Sequence, residues 1–323
     1  MAERSGSLDS LTTEHAILRT ILYSDLFDYP LTPEEISHYL IGVACDSETV
    51  RARLAAPVWL QGRIARVDGY VTLAGREGIV RKRRERARCS NKIWHRARAF
   101  VRILSCLPFV RMVGVTGALS MDNSNEGDDV DVIIVTAPNR VWMVRAISLM
   151  IVYAGRLGHS TLCPNYLLSE EVLPLQQRNI YIAHEFVQMV PLYGLVVYER
   201  MRAANPWIEV ILPNAREPFH PRAEYNPGAV GRVMKGLMER CLSGRLGDRF
   251  EAWEMRRKLR KFRPQLMKSG GSAVLSKDQV KGHFEDHGKH VRETYDLRLK
   301  EFSLMGTAYV QDPPPPEAIL VSG

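Results

Sequence analysis

Between Val113 and Thr136 the chain reads V-G-V-T-G-A-L-S-M-D-N-S-N-E-G-D-D-V-D-V-I-I-V-T. An apolar run ends in a glycine turn, a polar loop follows, and Asp129-Val130-Asp131 opens a second apolar run. Residues two apart on a strand point to the same face, so Asp129 and Asp131 project side by side. Carboxylates placed this way repel each other unless a cation compensates them. Their oxygens suit a hard divalent ion. A glycine turn beside them lets backbone N–H groups approach a phosphate. Phosphate cradle and paired acids together point to metal-assisted phosphoryl or nucleotidyl transfer.

Two plainer readings compete. The stretch Asp122-x-Ser124-x-Glu126-Gly127-Asp128 imitates an EF-hand calcium loop. That loop needs a bidentate Glu at its twelfth position, where this chain has Ile133 leading into an apolar strand. The other reading is a β-hairpin with acids at a polar tip, where such residues are common.

The spacing Gly117-Ala118, ten residues, then Asp129-Val130-Asp131-Val132 resembles the signature of the DNA polymerase β-like nucleotidyltransferase superfamily. The resemblance implies that Asp129 and Asp131 bind Mg²⁺ or Mn²⁺ and the triphosphate of an incoming NTP. It also implies a third acid on a later strand that activates the acceptor hydroxyl. Two positions depart from the pattern. Ala118 stands where the superfamily usually has Ser or a second Gly, which leaves Ser120 as the nearby hydroxyl donor. On the next strand-like run the central polar residue is Asn165, an amide that is a poor general base. Glu170 and Glu171 are the nearest acids in sequence. The wider chain also resembles a group of bacterial nucleotidyltransferase-domain proteins without an assigned substrate. These begin with a winged-helix-like segment containing the string D-L-F-D-Y-P-L-T, here Asp25–Thr32.

Composition places few limits on this reading. The 323 residues suit two or three domains, and 46% hydrophobic with 25% charged residues is ordinary for a globular chain. No apolar run reaches the roughly 18 residues of a membrane span, and the first ten residues lack a signal-peptide core. A cytoplasmic protein is expected. Five cysteines without C-x-x-C spacing point to neither a disulfide framework nor a zinc ribbon. The net charge of +8 is concentrated. Eleven Lys/Arg against two Glu lie between Arg76 and Arg102.

The expected fold class is α+β or α/β, in five parts. Residues 1–75 read as a winged-helix-like domain. Its first helix is expected over Glu14–Leu26. Its second starts at a capping box, Thr32-Pro33-x-Glu35. Its third carries Arg51 and Arg53, and two strands around Asp68-Gly69 follow. Residues 76–106 read as a basic connector helix. Residues 107–173 form the small mixed-sheet nucleotidyltransferase core, with a third strand at Leu162–Leu168. Residues 174–310 are expected to be helical, beginning with Leu175–Gln188, and 311–323 form a Pro-rich tail. Expected partners are an NTP and a nucleic acid or other polyanion, held by the Arg81–Arg102 helix and by the Arg256–Arg263 cluster. No membrane partner is expected. His283, His287 and His290 share a helix face and are weaker candidates for zinc, without a nearby Cys. A catalytically impaired fold that only binds nucleic acid or a protein partner is the alternative.

Overall fold

The capping box forms. Glu35 N–H donates to Thr32 Oγ1 (3.2 Å) and Thr32 N–H donates to the Glu35 carboxylate (2.8 Å). These bonds start α2 (Pro33–His38), between α1 (Ala2–Asp25) and α3 (Ser47–Ala55). The Asp46 carboxylate caps α3 by accepting from Thr49 N–H (2.7 Å). The computed structural model describes residues 2–155, 162–266, 275–281 and 287–304. The Pro-rich tail and His283 lie outside them. Helix α1 starts well before the expected Glu14. No proline separates residues 2–13 from the apolar stripe, so the helix runs on. Strands β1 (Ile64–Val67) and β2 (Tyr70–Leu73) make the expected hairpin, and Leu31 bridges Val71 as a third short edge.

The long helix α4 (Ile79–Ser105) leads to β3 (Val110–Val115). A one-turn helix α5 (Gly117–Ser120) and a loop separate β3 from β4 (Val130–Thr136). Helix α6 (Val141–Gly155) then returns the chain to β5 (Leu162–Ser169), which lies parallel to β4. Next come α7 (Ile180–Val187), β6 (Val190–Tyr193), α8 (Leu195–Ala203), α9 (Trp207–Ile211), α10 (Ala229–Leu242), α11 (Arg245–Leu266), β7 (Gln279–Lys281) and α12 (His287–Glu301). The sheet order is β6-β3-β4-β5-β7, with only the β4–β5 pair parallel. The protein is thus mixed α and β around a small mixed sheet.

The stretch after Pro174 departs from its helical expectation. It supplies both edges of the sheet, β6 and β7. Neither is long enough to show a period of two, and Pro191 weakens the strand signal further. Proline is tolerated there because β6 is an edge strand. The expected helix Leu175–Gln188 shrinks to α7, because Asn179 caps it by accepting from Ile182 N–H (3.0 Å).

Alternation along β4 builds two cores. Val130, Val132 and Ile134 face one cluster, shared with α4 and α6. Ile133 and Val135 face the other, which runs without a break into α1–α3, α7–α9 and α12. Among the described residues no helix is long and apolar enough to cross a membrane.

The basic helix α4 meets acids of the N-terminal segment. Arg83 forks onto the buried Glu35 carboxylate with two bonds of 2.7 Å. Arg76 pairs with Asp25 (2.9 Å) and Asp28 (2.6 Å), Lys82 with Asp28, and Arg84 with Asp68 (2.9 Å). The first half of the charge run therefore clamps α4 to the body. The exposed bases Arg88, Lys92, Arg96, Arg98 and Arg102 lie further along.

Candidate active site

The apolar strand β3 ends at Thr116, whose N–H donates to the Asp131 carbonyl (3.0 Å). Gly117 follows with φ +67°, a left-handed conformation that favours glycine. Its position is also tight, since a Cβ there would sit 2.9 Å from Asp131 Oδ2. The turn thereby brings backbone against the Asp131 carboxylate. Gly117→Ala is expected to lower the unfolding free energy by about 1–2 kcal/mol from backbone strain, with Asp131 displaced in addition. Urea denaturation checks this, and an unchanged midpoint would contradict it.

Asp131 is half-buried and Asp129 exposed at the start of β4. Cys163 on β5 lies opposite Asp131 in the parallel register. Burial, then the Asp131 and Asp129 carboxylates, push the Cys163 thiol up to about 11. One thiol thus feels both acids, which lie two residues apart at this end of the sheet. The register shifts between Val132 and Ile133, so that Pro164 pairs with Val132 and Tyr166 with Ile133. Asn165 is the extra residue of this bulge, and bulges re-aim side chains beside functional sites.

A cavity of about 140 Å³ opens beside Thr116 and Ile133, the neighbours of Asp131 on the two strands. Thr116, Asn165 and Tyr166 from the sheet line one side, and Glu185 and Tyr181 on α7 another. Lys281 on β7 and Arg292 on α12 bring cationic groups to the same space, and His287 lines it beside them. Glu185 is an acid of this cavity that the sequence did not single out. Burial, then the Asp131 carboxylate, raise its carboxyl to about 7, with Lys281 acting in the opposite direction. The available signal was weak, a single Glu inside an otherwise apolar helix. Its neighbour His184 points away, stacks on Tyr23 (3.8 Å between centroids) and is structural.

The raised Glu185 value fixes the sign of a pH effect. In the unfolded chain Glu titrates near 4.5, so the native state holds the proton more tightly between there and about 7. Metal-free protein should lose about 1–2 kcal/mol as pH rises through that window, after discounting for partial exposure. Glu185→Gln should flatten this slope. Chemical denaturation in chelator, below pH ~4.5 and above pH ~7, measures it, and an equal slope in both proteins would refute it.

Other sequence candidates fall elsewhere. Ser120 is buried and donates its hydroxyl to the Gly117 carbonyl (2.7 Å), so it stabilises the turn rather than facing a ligand. Ala118 is exposed beside Gly117. Glu170 and Glu171 follow the far end of β5, roughly 17 Å from Asp131 at a strand's rise per residue. Glu170 pairs there with Arg200 (3.0 Å). Asp122 accepts from Trp94 Nε1 (2.6 Å) and faces Arg222 (3.3 Å), which ties the loop to α4. His287 reaches the cavity, whereas His290 is exposed on α12.

Among the described residues no group of three or more His, Cys, Asp or Glu side chains is placed to hold a metal ion by itself. The donor set suits Mg²⁺ or Mn²⁺ nonetheless. Mg²⁺ is typically held by one or two carboxylates and completes its shell with water and substrate phosphate oxygens. No family model, no curated protein and no solved structure matches this chain.

Proposed function

We propose that this protein is a metal-dependent nucleotidyltransferase of the DNA polymerase β-like type. In this reading it transfers NMP from an NTP to a hydroxyl of RNA, protein or a small molecule. The observation that carries the reading is the Asp131 carboxylate set against the left-handed Gly117, with Asp129 two residues before it and Glu185 near enough to feel its charge. When bound between the two aspartates, Mg²⁺ or Mn²⁺ would neutralise phosphate charge. Backbone N–H groups at the start of α5 would hold the phosphates where Ser120 does not. Lys281 and Arg292 would orient an anionic ligand, and Asn165 would position the acceptor. Glu185 would take the acceptor proton, and a carboxyl near 7 is well matched to that task.

The N-terminal helices and hairpin follow the order of a winged helix. Arg51 on α3 pairs with Glu34 (3.1 Å), and the α1–α3 core is continuous with one face of the sheet. Both observations favour a scaffold over a reader of DNA bases. A second reading is a binding module with impaired chemistry. It draws on Ala118, which offers only a methyl group, and on the inward-turned Ser120 hydroxyl. The test is transfer of label from each α-labelled NTP, with Mg²⁺ or Mn²⁺, onto RNA, protein and small-molecule acceptors. Label transfer supports the enzyme, and NTP binding without transfer supports the module.

A further inference from the structure

Helix α10 carries its amphipathic pattern inside out. Val230, Val233, Met234 and Leu237 recur at i, i+3, i+4 and i+7, the spacing of a core-facing stripe. Here the stripe faces solvent, with exposures of 77, 69, 50 and 55%. The face turned to the body is polar. Lys235 Nζ donates to the carbonyls of Ser105 (3.0 Å) and Val110 (2.6 Å) and to the Tyr193 hydroxyl (3.0 Å). The Glu239 carboxylate accepts from Phe109 N–H (2.7 Å) and from Arg111 (2.7 Å). These bonds set the rotation of α10, and turning the stripe inward would take the ammonium away from the Ser105 and Val110 carbonyls it satisfies. The stripe leaves roughly 400 Å² of apolar side chain open, the size of the largest apolar patch on a typical monomer, which is often functional.

The next helix continues the pattern. Leu246, Phe250 and Trp253 on α11, at i, i+4 and i+7, are also exposed. So are Met150 and Tyr153 on α6. Charge on this side is one-signed. Arg240, Arg245, Arg249, Arg256, Arg260 and Lys261 are exposed. The acids of α10 and α11 are engaged elsewhere. Glu239 is bonded as above, and Asp248 pairs with Arg140 (2.8 Å). Glu251 accepts from Trp142 and Met143 N–H, and Glu254 pairs with Arg257 (2.6 Å).

An apolar stripe flanked by unopposed arginines selects its occupant. A second copy of this chain would bring like charges together across a two-fold interface. Nucleic acid would match the arginines but would leave the valine, methionine and leucine stripe uncovered. We propose that the outer faces of α10 and α11 form a docking surface for an anionic phospholipid bilayer. The stripe and Trp253 enter the boundary between headgroups and acyl chains, and the arginines meet the lipid phosphates. This is peripheral attachment, independent of the nucleotidyltransferase reading.

Flotation of the full chain with vesicles tests the proposal. Binding is expected to vesicles of phosphatidylcholine mixed with phosphatidylglycerol, and only weakly to phosphatidylcholine alone. The double variant Val233→Glu/Leu237→Glu should lower apparent affinity at least tenfold, with thermal unfolding unchanged because both side chains face solvent. Arg256→Ala/Arg260→Ala should lower it roughly fivefold for each base removed, and added salt should act in the same direction. Equal binding to neutral and anionic vesicles, no binding at all, or full binding by the glutamate variant would overturn the proposal. A dimer in light scattering that the glutamate variant dissolves, without vesicle binding, would assign the face to a second copy. RNA binding that only the arginine variant loses, again without vesicle binding, would assign it to nucleic acid. Either result also overturns it.

Discussion

Asp131→Asn should lower nucleotide transfer roughly 10³-fold while the protein stays folded. Asparagine keeps the size of the side chain and its seat against Gly117, so the turn is undisturbed. What is lost is the negative charge, and with it the affinity of a hard cation for this corner of the sheet. Asp129→Ala should act in the same direction from the exposed side of the pair. A second readout separates charge from damage. With Asp131 neutral, the Glu185 carboxyl loses a neighbour that raises it, and its titration should move down from about 7. Rates at saturating NTP and Mg²⁺, with thermal unfolding as control, measure the first effect. Carboxyl NMR titration measures the second. Transfer at the parental rate by Asp131→Asn would remove the assignment of this site.

Arg83→Ala is expected to have the largest effect on stability. The Glu35 carboxylate is buried and accepts from both Arg83 terminal nitrogens, from the Tyr29 hydroxyl (2.9 Å) and from Thr32 N–H. The guanidinium lies over the Tyr29 ring, 4.0 Å from its centroid. Removing it leaves a buried carboxylate uncompensated, which costs about 3–5 kcal/mol. The pair also sets an acid limit. Burial alone would raise the Glu35 carboxyl, but contacts with His220 and Arg83 hold it at about 2. His220 Nε2 stands 3.8 Å away, an ion-pair distance rather than a hydrogen bond, so the Arg83 fork carries most of this effect. The folded value lies below the unfolded one. Its contribution is therefore complete above pH ~4.5 and disappears as pH falls toward about 2. The gap between parent and Arg83→Ala should narrow over that range. Denaturant titrations at several pH values would show it, and a pH-independent gap would rule the mechanism out.

Local signals in the sequence were legible wherever neighbours along the chain satisfy each other. Thr32, Pro33 and Glu35 form their box within a single turn, and Asp46 caps α3 in the same way. The period of β4 places Asp131 on the face of Ile133 and Val135, and its mate Asp129 precedes the strand. The same locality explains what was missed. Glu185 follows Asp131 by more than fifty positions, and only the packing of α7 beside β4 and β5 brings it to the cavity. Ser120 carried the residue type for phosphate binding, but one turn of helix directs its hydroxyl to the Gly117 carbonyl.

The sequence alone determined the paired acids, the glycine turn beside them, the caps that start the helices and the excess of positive charge. Each depends on covalent geometry and on residues a few positions apart. Tertiary structure decided which charges are left over. Lys82, Arg83 and Arg84 of α4, with Arg76 just before it, meet acids from the N-terminal segment, whereas the bases of α11 face outward over an exposed apolar stripe. It also decided that Glu35, readable as a capping residue, is the buried counter-ion of Arg83. Desolvation and pairing depend on what the whole fold brings within a few ångströms, and local pattern carries no record of that.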